Sequence, residues 1–583
     1  MKKNILILTW MFSLNLISIY IYAQQNPHQI TDAEKNMMRN YLSTRAALSV
    51  STTSVLPPDS PVRTIGEWEE IQGLLIAWTS YPSMLTEIVR NSQNECTVYI
   101  VCTDSNAVKS TLTSSSVPLT NLVFLEPGFN SVWARDYGPW SAYTNDVDTL
   151  ITIDWIYNRP RPLDDAVPVA VATALGTPLY QTTTAPWDLV HTGGNFMCDG
   201  FGTAFSSNLV LNENSGHTPA EVDTIMKHFM GINRYIRMTT LPYDVIHHID
   251  MHIKLINEET LVVGQYPVGV ADGPQIEANL QYILANYNSI YGTPYKVIRI
   301  PMPPDGSGQY PDAGGDYRTY TNSSFVNKTL LVPTYQQQYD TTALRIYREA
   351  LPGYNVVGIN SNVSIPALGA IHCITKDLGT SDPLLISHSA LPDTYDNVNP
   401  FAVNALIKHR SGIANATLYY RTDTLLPYQP VAMSLMSVPL NTWSAQIPSQ
   451  NYGTNIYYYI DANSNSGKHQ VRPMPAPAGY WHFRILQPAA VSSPTERSRF
   501  SVEMPFPNPS KGITCIPVNS SKEIKGSLIL RNILGIKVMN IFEGIIHQGE
   551  SKYFLDTSLL ASGVYTIEIN TLENSEKKKL IVR

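Results

Sequence analysis

The sequence predicts an α/β domain followed by two small all-β domains, and the spacing of its apolar residues supports this order. Between residues 59 and 386, short apolar strands such as Gly73–Trp78 and Thr97–Val101 alternate with helical patterns, as in α/β folds. Over residues 388–486 the apolar residues recur with a period of two and turn residues separate them, which predicts a β-sandwich. Residues 500–583 repeat this all-β pattern and predict a second sandwich.

Length and composition exclude several classes of protein. At 583 residues the chain is too long for one core, since domains usually hold about 100–200 residues. Hydrophobic residues at 43%, charged residues at 15% and 34 tyrosines indicate folded domains rather than a disordered chain. A net charge of −7 provides no basic surface, so no nucleic-acid partner is expected. Five cysteines are too few and odd in number for a disulfide scaffold.

The N-terminus predicts export from the cytoplasm. Lys2 and Lys3 precede an apolar run that ends at Ala23, so residues 1–23 have the pattern of a cleaved signal peptide. Residues 24–58 are polar and are interpreted as a leader or pro-segment. No later stretch reaches the ~18 apolar residues of a membrane span, so none is expected in the mature protein.

Capping signals predict one helix in detail. Thr218 is the expected N-cap, Pro219 occupies the first helical position and Glu221 completes a capping box before an apolar stripe that ends at Gly231. A second helix, "TTALRIYREALPG", is expected to end at a Pro-Gly pair. Further along, the polar stretch 487–499 has the composition of a linker.

The stretch "HHIDMHIKLI", residues 247–256, concentrates histidine and aspartate. As a strand it would place His248, Asp250, His252 and Lys254 on one face, with "NEETLVVG" returning as the hairpin partner. As a helix it would resemble a zinc-binding H-E-x-x-H, but the glutamate is absent, so the strand is preferred. A polar pair on a solvated face is the simpler alternative.

A distant cysteine gives these residues a possible chemistry. Cys373 follows a run of small residues, "ALGA", through which a ligand could approach the backbone, although a lone cysteine is more often a buried apolar residue. A guanidinium is planar and permanently cationic, so carboxylates such as Asp136 and Asp250 are its natural partners. The Cys373 thiolate could then attack its carbon while His248 exchanges protons with ammonia and water.

Seven separated motifs together resemble the guanidino-group-modifying superfamily, in its branch of agmatine deiminases and secreted bacterial peptidylarginine deiminases. They are "GEWEE", "RDYGPW", "YNRPRPLDD", "TGGNFMCDGFGT", "HID", "YTN" and "IHCIT". The resemblance implies a five-bladed α/β propeller, or pentein, over residues 59–386. It implies Cys373 as nucleophile, His248 as general acid/base, Asp136 and Asp250 as the guanidinium clamp and Asn322 as a supporting pocket residue. It implies no metal and no organic cofactor.

The same resemblance bears on which substrate is accepted. It implies that Arg159 and Arg161, in "YNRPRP", hold the α-carboxylate of a C-terminal arginine, with Trp133 as a further substrate-binding residue. Solvated loop charges are the alternative for the two arginines. Thr192 stands where agmatine deiminases carry a glutamate, and Val245 stands where the secreted enzymes carry a tyrosine.

The two β-domains also resemble known modules. Residues 388–486 are similar to an immunoglobulin-like domain. Residues 500–583, through "FPNPSKG", "LGIKV" and "ASGVYTIEI", resemble the C-terminal sorting domain of type IX secretion substrates. The resemblance implies the type IX secretion machinery as a partner and a secreted or outer-membrane surface location, with the tail often removed.

These observations predict an exported, cysteine-dependent hydrolase that converts peptidylarginine, in particular C-terminal arginine, to citrulline and releases ammonia. A deiminase of agmatine or free arginine is the nearest alternative. An inactive, deiminase-like surface adhesin is a third. The sequence leaves the role of Cys198 in the glycine-rich loop open.

Overall fold

The computed structural model describes residues 27–45, 54–437, 440–488, 500–571 and 575–583. The predicted signal peptide, residues 1–23, lies outside the described residues. The chain divides into two compact units, residues 1–486 and 487–583. The α-helices of the described part are Asp32–Arg45, Pro82–Ser92, Ser105–Ser114, Ala134–Tyr137, Val167–Leu175, Leu209–Glu213, Pro219–Met230, Gly273–Asn286 and Gln337–Ala350.

Five open sheets with mixed strand directions make up the first part of the larger unit in the described residues, which confirms the predicted α/β class. Their strands, sheet by sheet, are Val62–Thr64, Trp140–Thr144, Leu150–Tyr157, Leu179–Thr182 and Val190–His191; Met197–Cys198, Thr203–Ser207 and Arg234–Met238; Ile253–Asn257, Thr260–Gln265 and Lys296–Pro301; Ser324–Val326, Thr329–Thr334 and Asn355–Asn360; and Ile71–Ala77, Thr97–Val101, Leu122–Leu125 and Thr375–Gly379. None of the described sheets closes on itself, and their arrangement as propeller blades stays a prediction.

One local pattern recurs in all five sheets. In the third, Ile253–Asn257 pairs antiparallel with Thr260–Gln265, the helix Gly273–Asn286 follows, and Lys296–Pro301 then pairs parallel to the middle strand. A hairpin can join antiparallel strands, whereas parallel neighbours need a longer crossover, which the helix provides. Each repeat is thus two strands, a helix and a third strand.

The fifth sheet joins distant parts of the chain. The strand Thr375–Gly379 pairs antiparallel with Ile71–Ala77, and Thr97–Val101 then pairs parallel to Ile71–Ala77 after the helix Pro82–Ser92. The first strand of this repeat therefore comes from the C-terminal end of the α/β part, while the other strands come from its N-terminal end.

A short turn precedes the first strand of each repeat, and Asp136, Asp250, Asn322 and Cys373 lie in these turns, whereas Arg159 and Arg161 follow the strand Leu150–Tyr157. Four of the turns are helical and the fifth, at Asn322, is a bend. The helical ones are Ala134–Tyr137, Gly193–Asn195, Ile249–Met251 and His372–Ile374. The repeat therefore brings residues that are far apart in sequence to equivalent places at the start of five strands.

The strand predicted for residues 247–256 is wrong in its first half. Ile249–Met251 is a single 3₁₀ turn, and the strand begins only at Ile253. His248 and Asp250 belong to the turn, so they do not share a strand face with Lys254. The predicted hairpin with the following strand, Thr260–Gln265, is confirmed.

The helix Pro219–Met230 has the predicted ends. The Thr218 side chain accepts a hydrogen bond from the Glu221 backbone N–H and the Glu221 carboxylate accepts one from the Thr218 N–H, which completes the capping box. Gly231 ends the helix in the left-handed conformation at φ 70°. Its apolar stripe packs in a core with Trp140, Trp155 and other buried residues.

Residues that follow the α/β part form two facing antiparallel sheets within the larger unit. Their strands are Leu385–Ser387, Phe401–Lys408, Ser434–Ser437 and Thr442–Ile447 in one sheet, and Ile413–Arg421, Gln429–Ala432, Asn455–Ser464, His469–Arg472 and Trp481–Arg484 in the other. They enclose a separate apolar core that includes Val403, Leu418, Ile456 and Phe483. The first strand begins at Leu385, slightly before residue 388, where the sequence places the start of this domain.

The smaller unit is all-β. Its strands are Phe500–Val502, Ile513–Ser520 and Gly549–Asp556 in one sheet, and Ile524–Asn532, Lys537–Ile546, Gly563–Thr571 and Ser575–Val582 in the other. Its core includes Ile516, Val518, Leu528 and Ile567. Among the described residues of both units, no helix has the length and apolar character needed to cross a membrane.

Two helix-ending glycines give a test of this packing. Gly176 and Gly231 both have left-handed φ angles, but a Cβ at Gly176 would meet no atom within 4 Å, whereas one at Gly231 would lie 1.8 Å from the Val62 carbonyl oxygen. We expect Gly176→Ala to lower the free energy of unfolding by about 1–2 kcal/mol. Gly231→Ala should cost roughly 3–5 kcal/mol, because a steric clash adds to the same backbone strain. Urea unfolding measures both, and equal losses would contradict this account.

Candidate active site

The Cys373 thiol lies at the centre of the candidate site and is fully buried. Asn322 Nδ2 donates a hydrogen bond to Cys373 Sγ at 3.1 Å, and the thiol lies 3.7 Å from Asp250 Oδ2. Asn322 Oδ1 accepts hydrogen bonds from the backbone N–H groups of Ala370 and His372, which fixes the turn that carries the cysteine. Burial and the two nearby carboxylates, Asp250 and Asp136, raise the pKa of the Cys373 thiol well above its ordinary value.

A buried chain of hydrogen-bonded polar groups holds Asp250 in place. His372 Nδ1 lies 2.7 Å from Asp250 Oδ2, and its Nε2 lies 2.6 Å from Glu67 Oε1. Glu67 also accepts a hydrogen bond from Lys254 Nζ at 2.5 Å and pairs with Arg135. Burial would raise the pKa of Glu67, but His372, Lys254 and Arg135 outweigh it and hold that pKa well below its ordinary value. Glu67 is therefore ionised.

His248 and Asp136 form the opposite side of the site. His248 Nδ1 lies 3.7 Å from Asp136 Oδ1, and its Nε2 lies 3.3 Å from Thr192 Oγ1. Burial lowers the pKa of His248 to about 4, so this imidazole is neutral at physiological pH. Burial would raise the pKa of Asp136, but His28 and His248 outweigh it and lower that pKa below its ordinary value. A neutral base thus faces an ionised carboxylate.

Two glycines let these groups approach each other. A Cβ at Gly194 would lie 2.4 Å from His248 Nδ1 and 3.1 Å from Asp136 Oδ1, whose carboxylate accepts the Gly194 N–H. A Cβ at Gly369 would lie 2.4 Å from the Trp133 ring. Both positions require glycine because a side chain would displace site residues.

Arg159, Arg161 and Trp133 line the same site, and all three are buried. Arg159 Nε and Nη2 donate to the carbonyl oxygen of His28 at 3.2 and 3.1 Å, and Arg161 Nη2 donates to the carbonyl oxygen of Pro27 at 2.7 Å. The alternative that the two arginines are solvated loop charges is therefore wrong. Trp133 stacks on the His28 ring with a centroid distance of 4.1 Å.

Three of these groups could hold a metal ion. Ligand atoms of His28, Asp136 and His248 lie within 4.8 Å of one another, and two imidazoles with one carboxylate are a suitable donor set for zinc. In the structure, His28 Nε2 instead forms a direct 2.6 Å hydrogen bond with Asp136 Oδ2.

The structure brings all eight sequence-predicted site residues together, and it adds three that sequence reasoning missed as site residues. Glu67 lies in the motif GEWEE and His372 in the motif IHCIT, but the motifs did not indicate a role for either residue. A histidine backed by a glutamate is nevertheless a combination that can orient a carboxylate. His28 lies in the predicted leader, where no signal pointed to the site. Cys198 packs in an apolar core, its thiol donating to the Ile65 carbonyl oxygen.

Comparison with known proteins identifies the family. Residues 63–378, more than half of the chain, match the family model described as Porphyromonas-type peptidyl-arginine deiminase. The chain belongs to the Porphyromonas-type peptidyl-arginine deiminase family. Residues 505–583 match the secretion system C-terminal sorting domain, which indicates export through the type IX machinery. This deiminase therefore acts on guanidino groups. Its sorting domain indicates secretion, and cargo of the type IX machinery is often attached to the cell surface.

Individual relatives of this peptidyl-arginine deiminase family member are distant. A Vibrio parahaemolyticus protein provisionally named agmatine deiminase is 24% identical over 293 residues, covering 44% of this chain and 77% of that one. An X-ray structure of a protein with the same provisional name gives a TM-score of 0.51 at 19% identity, over 56% of this chain and all of that one. The Enterococcus faecalis agmatine deiminase structure gives 0.49 at 18% identity, over 56% of this chain and all of that one. At these identities the structural likeness shows the fold alone.

The hydrogen bond from Asn322 to Cys373 generates a prediction about the thiol. In Asn322→Asp, one carboxylate oxygen can still accept the backbone N–H groups of the turn. The other oxygen replaces the amide group that donates a hydrogen bond to Cys373 Sγ. The pKa of Cys373 should therefore rise by roughly one unit or more. The pH dependence of Cys373 alkylation by iodoacetamide, followed by peptide mass spectrometry, measures the change. As a control, the wild type and the variant should have the same pH midpoint of Cys373 alkylation when both are unfolded in urea. Equal pH midpoints in the folded proteins would contradict the prediction.

Proposed function

We propose that this deiminase hydrolyses peptidylarginine, and C-terminal arginine in particular, to citrulline and ammonia. The observation that supports this most strongly is the grouping of one thiol, two carboxylates and one neutral imidazole in a buried site beside two arginines. The carboxylates suit a guanidinium and the arginines suit a carboxylate or carbonyl. One peptide-linked arginine has both groups.

In the proposed reaction, Asp136 and Asp250 accept N–H bonds from the substrate guanidinium and hold its plane. Cys373 Sγ attacks the central carbon as its proton passes to the neutral His248, and His248 then transfers that proton to the nitrogen that leaves as ammonia. The product of this step is a covalent thiouronium. Water, deprotonated by His248, then attacks the same carbon, the C–S bond breaks, and citrulline is released with the thiol restored.

The raised pKa of Cys373 gives the substrate a part in activating the thiol. Two carboxylates without a cation between them disfavour a thiolate beside them. A bound guanidinium would neutralise both, and thiolate formation would then become more favourable. We infer that a bound substrate cation favours formation of the nucleophile, which slows, without preventing, reaction of the thiol with other electrophiles.

The arginines favour a peptide over a free amine. Arg159 donates a hydrogen bond to the carbonyl oxygen of His28, whose side chain lies in the site. Arg161 donates one to the carbonyl oxygen of Pro27, the preceding residue. A C-terminal arginine would place its α-carboxylate at Arg159 and its preceding peptide carbonyl at Arg161. Agmatine has neither group and would leave the N–H groups with which these two buried arginines bind carbonyl oxygens without an acceptor, and Thr192 provides no carboxylate for its amine.

Free arginine and an inactive adhesin remain the alternatives, and they differ in their products. Free arginine would satisfy Arg159 but not Arg161. Citrulline formation from matched C-terminal arginine peptides, internal arginine peptides, free arginine and agmatine separates the substrates, and no turnover of any guanidine would favour the adhesin.

We further infer that the five repeats are the blades of the pentein propeller. The five equivalent turns that supply site residues support this arrangement, with the site where they meet. We also propose that residues 388–486 are the immunoglobulin-like domain and that residues 59–386 are the catalytic domain.

Cys373→Ala should abolish turnover and leave the fold intact, because the change is small while no other nucleophile is placed to form the thiouronium. Citrulline formation and thermal unfolding measure the two effects. Cys198→Ala is the matched control and should keep its activity, since Cys198 lies in an apolar core. A chelator should have no effect on the wild type. Citrulline formation by Cys373→Ala would contradict the mechanism. So would a loss of wild-type activity in the presence of a chelator that added zinc restores.

Arg159 and Arg161 give the sharpest test of the substrate. A charged hydrogen bond contributes on the order of 1.5–3 kcal/mol. In chains that all carry His28→Ala, so that no side chain of the protein itself fills the pocket, Arg159→Ala or Arg161→Ala should lower kcat/KM for C-terminal arginine peptides by roughly ten- to a hundredfold.

Amidation of the peptide's C-terminus should reproduce the loss at Arg159. The mutation and the amidation both remove the same contact, between Arg159 and the α-carboxylate. Arg159→Ala should therefore lower kcat/KM much less for the amidated peptide than for the acid, a difference that a double-mutant cycle detects. Full activity of both variants on acid and amidated peptides would overturn the assignment.

A further inference from the structure

His28, in residues 27–45 of the leader, occupies the candidate site. The His28 side chain is fully buried there, with Nε2 2.6 Å from Asp136 Oδ2 and Nδ1 2.8 Å from the Leu368 carbonyl oxygen. Its ring stacks on Trp133 and meets the His248 ring edge-on at 4.9 Å. Cys373, which has to meet a substrate carbon, is completely inaccessible in this arrangement.

The leader backbone is held by the arginines already assigned to the substrate. Arg159 donates to the His28 carbonyl oxygen, and Arg161 donates both to the Pro27 carbonyl oxygen and, through Nε, to Glu34 Oε1 at 2.8 Å. Both arginines are buried, so each contact with the leader also satisfies a cation that has little access to water.

The leader has its own folded structure, which fixes these contacts. Its helix, Asp32–Arg45, begins with a capping box in which Glu34 N–H donates to Thr31 Oγ1 and Thr31 N–H donates to Glu34 Oε2. One carboxylate therefore caps the helix and pairs with Arg161. Further along, Tyr41 donates a hydrogen bond to Asp165 at 2.6 Å. The segment is anchored at three separate places.

We propose that residues 27–45 of the leader are an intramolecular inhibitor that holds the deiminase latent by occupying the guanidinium pocket with His28. This proposal rests on the proposed function, because it assigns the pocket to a guanidinium. The imidazole is planar and donates N–H to Asp136 as a guanidinium would. Its carbon between the two nitrogens has no exocyclic amine, so nothing can leave as ammonia. His28 is thus a substrate-like group that cannot be hydrolysed.

The covalent link makes the inhibitor effective. A segment tethered to its own site has an effective concentration of up to millimolar order, so a dilute substrate competes poorly until the leader is displaced. Substrate and leader use the same groups, namely Asp136, Trp133, Arg159 and Arg161, so both cannot bind together.

Variants of the leader test this without a change in the catalytic groups. In the full chain, His28→Ala removes the group in the pocket and Glu34→Gln removes the charge that pairs with Arg161. Asp32→Asn is the matched control, since Asp32 lies on the same helix but its side chain is 94% exposed and pairs only with Lys35 among the described contacts. Two rates are measured: alkylation of Cys373 by iodoacetamide, read by mass spectrometry against Cys198 as internal reference, and citrulline formation from a C-terminal arginine peptide.

We expect His28→Ala and Glu34→Gln each to raise both rates roughly tenfold or more, and Asp32→Asn to change neither. A synthetic peptide of residues 27–45 added to the His28→Ala protein should slow alkylation again, and the same peptide carrying His28→Ala should not. Faster alkylation without citrulline formation would refute the proposed function and leave the inhibitor in place. Unchanged alkylation in both variants, with normal citrulline formation from the wild type, would overturn the inhibitor and leave the function in place.

Discussion

The hydrogen-bonded contact of His372 with two carboxylates is the interaction on which the site depends. His372 bridges Asp250 and Glu67, and Glu67 in turn pairs with Lys254 and Arg135. Buried charges are stable only when paired, so removal of one member would leave another charge without a partner in a dry interior. The network therefore fixes the carboxylate next to Cys373 in one position, and it explains why so many charged residues lie beneath a site that is itself small.

Repetition of one structural unit explains how such a site can be assembled from distant parts of the sequence. Every repeat starts its first strand after a short turn, and each turn presents polar side chains at the same place. The repeats differ in which side chains they present: a carboxylate in one, an amide in another, the thiol in a third. Diversity at equivalent positions of a common scaffold gives an asymmetric site from a repeated fold.

Much of the fold was predictable because its signals are local. The helix after Thr218 and the hairpin around residues 258–259 depend on capping and turn residues a few positions apart, and both predictions are confirmed. The strand predicted across His248 was wrong, because alternation of polar and apolar residues over six positions also fits a 3₁₀ turn followed by a strand. Cys373, His248, Asp136 and Asp250 were predicted from residue chemistry together with motif resemblance. Arg159, Arg161 and Trp133 were predicted from the resemblance alone. The leader's place in the pocket was not predictable, since a single His28 in a polar segment has no pattern that names its partner.

The pairing of the strand Thr375–Gly379 with Ile71–Ala77 also determines when the domain can fold. The two strands come from opposite ends of the α/β part, so their contact has one of the largest sequence separations in the molecule. Such contacts require closure of a long loop and slow the folding of a domain. During synthesis, the sheet that carries the Cys373 turn stays incomplete until the chain has grown past residue 379. A shorter nascent chain cannot complete this sheet, so the turn that carries the cysteine is set in place only after the whole α/β part has been synthesised.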